Sequence, residues 1–265
     1  MKTRKVYVLN PSQSKRLIAK GVCGLPQIQA ALESGKIFVA RGSTNAYVLD
    51  ELYRQAGIEE KFNLADYTMG QVIPGIKFMN WTTNKGKIYP EIILNMGKKE
   101  ECMDRVKQLQ KFEQNDIVIK GGNALDPNGI PAVLIGSPKD GGTIGSIQSI
   151  IQAKGLELIC PIGLEKLIFS EISELQHLMG IENCEHTSEG FKCGIIPMPY
   201  ATVITELEAL EVLFDCEAYH VSSGGVGGAE GSVAILIEGM DEEEMQEIDK
   251  FMQEISAEPV YRPNQ

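Results

Sequence analysis

Three short segments combine glycine with a cation and a hydroxyl or amide: Arg41-Gly42-Ser43-Thr44, Lys120-Gly121-Gly122-Asn123 and Lys139-Asp140-Gly141-Gly142-Thr143. Glycine lets backbone N–H groups approach a ligand closely, and a helix N-terminus behind it adds unpaired donors and positive dipole. Arg41, Lys120 and Lys139 supply charge, while Ser43, Thr44 and Thr143 supply hydroxyls. Together these make a cradle for a phosphate or a carboxylate. None of the three is Gly-x-x-x-x-Gly-Lys-Ser/Thr or Gly-x-Gly-x-x-Gly, so the nucleoside-triphosphate and dinucleotide fingerprints are missing. The same residues also suit plain tight connections between strand and helix, with Ser43 or Thr143 as ordinary caps. Both readings stand at this level.

The richest glycine run, Gly224 to Gly231, joins two expected strands. The helix-dipole argument therefore fails there, and a hairpin tip or a mobile flap over a site remains. His177, Cys184, His186 and Cys193 cluster in sequence, but Cys184-x-His186-x6-Cys193 matches no zinc spacing, and no metal site is expected. His220 falls inside an expected strand. No Gly-x-Ser-x-Gly elbow occurs, so a hydrolase triad has no support, and nothing calls for a cofactor. The acidic run Asp241 to Glu244 reads as a helix start with a capping box, Asp241 at the cap and Glu244 three positions on.

The elements that must position the glycine turns follow from hydropathy. Asn10-Pro11-Ser12 opens a helical pattern interrupted at Gly24-Leu25-Pro26, which predicts two helices in tandem. Apolar runs at Lys36–Ala40, Glu91–Met96, Asp116–Lys120, Ala132–Ile135 and Leu156–Ile162 read as strands. Helices are expected after Thr44, over Glu100–Phe112, after Thr143, and from Leu164 to about Met179. Strands that are nearly all apolar, alternating with helices, predict an α/β fold with a mostly parallel sheet and helices on both faces. In such a sheet, ligands lie at the C-terminal strand ends, where all three turns are expected.

From Cys184 to Lys192 the chain turns polar, which marks a linker. Beyond it the pattern is strand (Gly194–Met198), helix (Val203–Phe214), strand (Cys216–Ser222), strand (Ser232–Glu238), helix (Glu242–Ile255) and a last strand at Val260-Tyr261. That order predicts a ferredoxin-like, split-βαβ domain. The expected division is thus 1–190 for a phosphate-ligand-binding α/β domain and 191–265 for the second.

Charge separates the same two parts. Residues 195–265 carry 15 Asp/Glu against Lys250 and Arg262, a net of −13, whereas residues 1–194 carry +2. This balance argues against a duplex-binding basic face, most of all in the C-terminal quarter, so no nucleic-acid partner is expected, while a small anionic metabolite suits the near-neutral part. No apolar run reaches membrane-spanning length and the basic N-terminus leads only to Val6–Leu9, so neither a membrane partner nor a signal peptide is expected. Six scattered cysteines fit reduced thiols and a cytoplasmic protein. Oligomeric state stays open, a homo-oligomer included.

Gly42-Ser43-Thr44 with Tyr47, Val48 and Leu52 resembles the phosphate turn and following helix of A-type ribose-5-phosphate isomerases. Their relatives share that turn: glucosamine-phosphate isomerases, sugar-sensing repressor domains and CoA-transferases. Ile119-Lys120-Gly121-Gly122-Asn123-Ala124-Leu125 resembles the isomerases' Ile-Lys-Gly-Gly-Gly block, and their ferredoxin-like small domain parallels residues 194–262. The resemblance implies a sugar-phosphate-like site, with Ser43 and Thr44 on the phosphate and Lys120 near the reacting carbons. Two family features are missing: the Asp-Gly-Ala-Asp block and the glutamate of an Arg-Glu-Lys run, where Asp126-Pro127-Asn128 stands instead. Moving a proton between carbons needs a positioned base, and Asp126 is the substitute on offer. Three functions remain: an isomerase-like or transferase-like enzyme on a phosphorylated or CoA-linked metabolite, a sensing module that kept the turn, and an interaction protein.

Overall fold

The computed structural model describes residues 2–60, 62–73, 77–80, 89–183, 185 and 192–261. Its centre is a six-stranded mixed sheet. Four mutually parallel strands, β2 (Lys36–Val39), β7 (Ile117–Ile119), β10 (Glu157–Pro161) and β12 (Thr202–Ile204), lie in the spatial order β12-β10-β7-β2. The hairpin β5 (Glu91–Asn95) and β6 (Lys98–Cys102) extends the sheet beyond β2 in antiparallel sense. Strands β2, β7 and β10 are buried nearly throughout, as expected of strands covered on both faces. Phe38, Val39, Val118, Ile119, Ile159 and Cys160 lose all contact with solvent.

Helix α1 (Pro11–Gly24) packs against α3 (Ser43–Gln55) and α7 (Glu206–Phe214), and α2 (Pro26–Ser34) packs on β2. Asn10 caps α1 with a reciprocal bond to Gln13, and proline fits the first turn because its missing N–H is one the helix would not use. Two smaller sheets flank the centre. In one, β1 (Thr3–Leu9) and β13 (Glu217–Gly224) pair antiparallel with β14 (Ser232–Gly239), whose Val233, Ile235 and Ile237 enter the core. In the other, β8 (Ala124–Leu125) and β11 (Gly194–Pro197) flank β9 (Pro131–Ile135). A two-stranded ribbon joins β3 (Gln71–Ile73) and β4 (Lys77–Asn80). The remaining helices are α4 (Arg105–Leu109), α5 (Gly142–Lys154), α6 (Ile172–Leu178) and α8 (Glu242–Ser256).

Several expectations need correction. The stretch 100–112 is not one helix, because Met96 and Gly97 both take positive φ and turn the chain back as a hairpin. Its charges then lie along an exposed edge strand, where they discourage further pairing. The helix expected from Leu164 breaks into a 3-10 turn over Leu164–Lys166 and the later α6, because Leu167 and Ile168 bond the chain to Leu125. Strand β9 belongs to a small antiparallel sheet rather than the central one. The turn at Asp126–Gly129 reverses the chain after β8 and sets β9 beside it.

The split-βαβ unit is distributed differently from expectation. Its strands go to three sheets: β11 beside β9, β12 beside β10, and β13–β14 beside β1. Strand pairing therefore crosses residues 190/191 three times. Val260 and Tyr261 form no strand; the Tyr261 amide donates to Ser12 Oγ instead. At α8 the Asp241 side chain accepts from Glu244 N as expected, but Glu244 accepts from Met240 N rather than closing the box. Among the described residues no helix is long and apolar enough to cross a membrane.

Candidate functional site

The parallel strands end together at one edge of the central sheet. Beyond β2 the Ala40 amide donates to Ile119 O at 2.9 Å, and beyond β7 the Lys120 amide donates to Ile159 O at 3.0 Å. The turns Arg41–Thr44 and Lys120–Asn123 are therefore neighbours. Gly121 seals the contact: a Cβ there would lie 3.2 Å from both Asn45 Oδ1 and Pro161 O, and one at Gly122 would meet Ile162 Cδ1 at 2.7 Å. Both glycines let strand ends and the first turn of α3 close on each other.

Helix α3 starts at Gly42 with no side-chain cap, and Gly42 N donates to Tyr67 O at 3.0 Å. The amides of its first turn have no helical partner by geometry. Around that start, Thr44 is 3% exposed and Asn45 1%. Asn45 Nδ2 donates to Ala40 O at 2.8 Å, but Asn45 Oδ1, Thr44 Oγ1, and Arg41 Nε and Nη1 have no partner among the described residues. Ser43 is half-buried. Burial and the nearby Arg105 push the Arg41 guanidinium below its ordinary pKa, and Glu91 opposes them.

Lys120 is half-buried, and its ammonium donates to Gly121 O at 2.7 Å. On the next connection, after β10, Lys166 donates to Gly122 O at 2.8 Å. Neither lysine forms an ion pair among the described residues, and nor does Arg41. Burial brings Lys120 down to about 8, with Lys166 adding to the fall and Cys160 and Glu91 opposing it. Lys166 is lowered as well, again chiefly by burial. Cys160, fully buried near both, is pushed up to about 12 by burial, so it rests as a thiol.

The third turn reaches this edge by a route the sequence did not announce. Strand β5 runs antiparallel to β2, so its first residue, Glu91, lies beside the carboxyl ends of the parallel strands. Glu91 is 3% exposed; its Oε1 accepts from Thr143 Oγ1 at 3.0 Å and its Oε2 from Arg105 Nε at 2.7 Å. Thr143 is thereby brought to the edge, with its hydroxyl already committed. In the same turn Asp140 Oδ1 accepts from Gly142 N at 2.9 Å, which fills one donor at the start of α5 around Gly141, and Lys139 is exposed.

Asp126 is not available as a base. Its Oδ1 accepts from Asn128 N and Ile130 N, both at 2.9 Å, and its Oδ2 from Ile172 N at 3.2 Å. This buried carboxylate ties a turn to the start of α6. The loop between Gly224 and Ser232 is a hairpin connection as expected. A Cβ on its last residue, Gly231, would lie 2.9 Å from Glu165 Oε2, on the connection that also carries Lys166. Cys184 and His186 lie outside the described residues.

Sequence reading missed Glu91, Arg105, Asn45 and Lys166. Lys166 carried only a weak signal: Gly163 follows an apolar strand as the other glycines do, but the lysine comes three residues after the glycine instead of before it. Asn45 directly follows the quoted Gly-Ser-Thr turn. Glu91 carried none, since its role depends on a strand direction that the sequence does not reveal.

No protein-family model matches the chain, and no curated protein matches its sequence. Among solved structures, 5-methylthioribose 1-phosphate isomerase from Pyrococcus horikoshii OT3 overlaps 78% of this chain and 60% of its own, at 12% identity and a TM-score of 0.34. The chain thus spans less than two thirds of that enzyme, and an overlap at this level carries no argument about activity.

Proposed function

We propose that the protein binds a small phosphorylated metabolite at the carboxyl ends of β2 and β7. The phosphate sits at Arg41, Gly42, Ser43 and Thr44, and the rest of the ligand extends toward Lys120, Gly121 and Gly122. One observation carries this reading: Arg41, Thr44 and Asn45 bury polar atoms without partners around an uncapped helix start. Burying such groups is costly unless something satisfies them, and an anion satisfies a guanidinium, a hydroxyl and helix-start amides together. A sugar phosphate and a CoA-linked metabolite share this chemistry. Thr143 and the Gly141-Gly142 turn border the site through Glu91, and the Gly224–Gly231 run serves as a flap.

Proton transfer of the isomerase kind has less support, because Asp126 is filled by amides and Glu91 by Arg105 and Thr143. Calorimetry with ribose 5-phosphate, coenzyme A and inorganic phosphate tests the reading. Ser43→Ala with Thr44→Ala should weaken the ligand that binds, each lost hydrogen bond to a charged group costing about 1.5–3 kcal/mol. Unchanged affinity in a folded double variant would reject the site.

A further inference from the structure

The site as described lacks a free carboxylate among the described residues, yet it holds an amine placed for a different chemistry. We infer that Lys120 is a carbonyl-reactive amine, which condenses with an aldehyde or ketone of the phosphorylated ligand to form an imine. This rests on the phosphate reading for the ligand but on separate residues for the reaction. Nζ attacks the carbonyl carbon, the C=N bond forms, and the carbonyl oxygen leaves as water with the two amine protons. No oxidant or reductant enters the step.

Four features of the surroundings favour a nucleophilic amine over an ammonium ion. Lys120 has no acidic partner within ion-pairing distance among the described residues, so nothing holds its proton in place. Its hydrogen bond runs to Gly121 O, which a neutral amine can still donate while its lone pair points elsewhere. A second ammonium, Lys166, is anchored on the adjacent carbonyl of Gly122. Lys120 is half-buried beside a fully buried strand layer, with Ile119, Ile159, Cys160 and Ile162 each 0% exposed. Desolvation and a neighbouring cation are the two devices that free a lysine for imine chemistry. The charged and titratable groups that face Lys120 are Cys160 of β10, Lys166 of the following turn and Glu91 of β5. Of these Glu91 alone favours the protonated form by being negative at neutral pH, and it is already neutralised by Arg105.

Position completes the argument. Lys120 immediately precedes Gly121 and bonds its carbonyl, and a Cβ on Gly121 would lie 3.2 Å from Asn45 Oδ1 in the first turn of α3, so the turn that carries the amine borders the helix start assigned to the phosphate. A ligand with a phosphate at one end and a carbonyl a few carbons away would engage both.

The test uses dihydroxyacetone phosphate with cyanoborohydride, which reduces an imine to a stable secondary amine. Peptide mass mapping of the full-length protein then locates the adduct. The expected result is labelling at Lys120 at least tenfold faster than at exposed Lys107 or Lys139, with a rate rising to a plateau through about pH 8. Lys120→Arg should abolish the fast adduct; because the mapping is done on the unaltered chain, the result does not depend on how that variant folds. Labelling no faster than at the exposed lysines, or fast labelling at Lys166 instead, would overturn the inference. Glycerol 3-phosphate, which has no carbonyl, separates the two readings by calorimetry. If it binds and Lys120 stays unlabelled, the amine fails and the phosphate site survives. If it does not bind but glycolaldehyde labels Lys120 rapidly, the amine survives and the phosphate site fails.

Discussion

Two regions of this molecule bury cations, and they treat them in opposite ways. In the layer of α1, α3 and α7, Arg16 is 4% exposed and meets three carboxylates, Asp50 at 2.8 Å, Glu51 at 3.0 Å and Glu258 at 2.8 Å. The helix starts there are closed as well, α1 by Asn10 with Gln13 and α7 by Thr205 with Glu208. At the carboxyl edge of the central sheet, Arg41, Lys120 and Lys166 form no ion pair with a carboxylate among the described residues, and α3 starts at Gly42 with no side-chain cap. A fold that can satisfy a buried guanidinium beside Tyr47, Asp50 and Glu51 of α3 with three acids leaves Nε and Nη1 of another, Arg41, without a partner among the described residues just before the same helix. That difference separates groups that hold the fold together from groups held ready for something outside it.

The largest contrast should come from removing each arginine. Arg16→Met takes from Glu258 its cation and leaves Asp50 and Glu51 with only Arg54 and Lys20 among the described residues, and breaking a buried ion pair costs about 3–5 kcal/mol. Arg41→Met removes no hydrogen bond at Nε or Nη1 among the described residues, so denaturant unfolding should shift by less than about 1 kcal/mol. Anion affinity should move the other way: at least tenfold weaker for Arg41→Met, and unchanged for any Arg16→Met that remains folded. Equal stability losses in the two variants would remove the contrast.

A smaller effect should appear with pH. Lys120 loses its charge as pH rises through about 8, and Lys166 is lowered in the same direction. A phosphate monoester completes its second ionisation near pH 6, so the ligand's charge is constant above pH 7. Affinity for glycerol 3-phosphate should therefore fall between pH 7 and pH 9. Imine trapping should rise over the same range, because it needs the neutral amine. A flat binding profile with calorimetry at both limits would place Lys120 outside the anion's reach.

Much of the central sheet was legible because parallel strands bury both faces and leave near-continuous apolar runs, as at Lys36–Val39, Ile117–Ile119 and Glu157–Pro161. The hairpin at Met96-Gly97 was not, because Lys98–Glu101 reads as a charged helix until its neighbour is known. Strand partners across long sequence separations were also hidden: nothing local in Val6–Leu9 specifies pairing with Val233–Leu236. In the site, turns that depend on local chemistry could be read, notably Gly42–Thr44 and Lys120–Gly122. Glu91 could not, since it joins Arg105 and Thr143 only through the direction of β5. Asp126 misled for a related reason: a carboxylate after a glycine turn looks free until its three amide partners are placed.

The smallest expected effect sharpens the comparison at the helix starts. Thr205 accepts from Leu207 N at 3.1 Å and is bonded reciprocally with Glu208, so Thr205→Ala opens a closed cap. Such a loss typically costs about 1 kcal/mol. Ser43 follows Gly42, which has no side-chain cap, so Ser43→Ala removes no cap and α3 gains the better helix former at its first position. Thermal unfolding should therefore drop by several degrees for Thr205→Ala and hold or rise slightly for Ser43→Ala. Calorimetric affinity for a phosphorylated ligand should do the reverse, falling for Ser43→Ala alone. If Ser43→Ala instead destabilises as much as Thr205→Ala, its hydroxyl is working for the fold. The open start of α3 would then be an ordinary strand-to-helix connection.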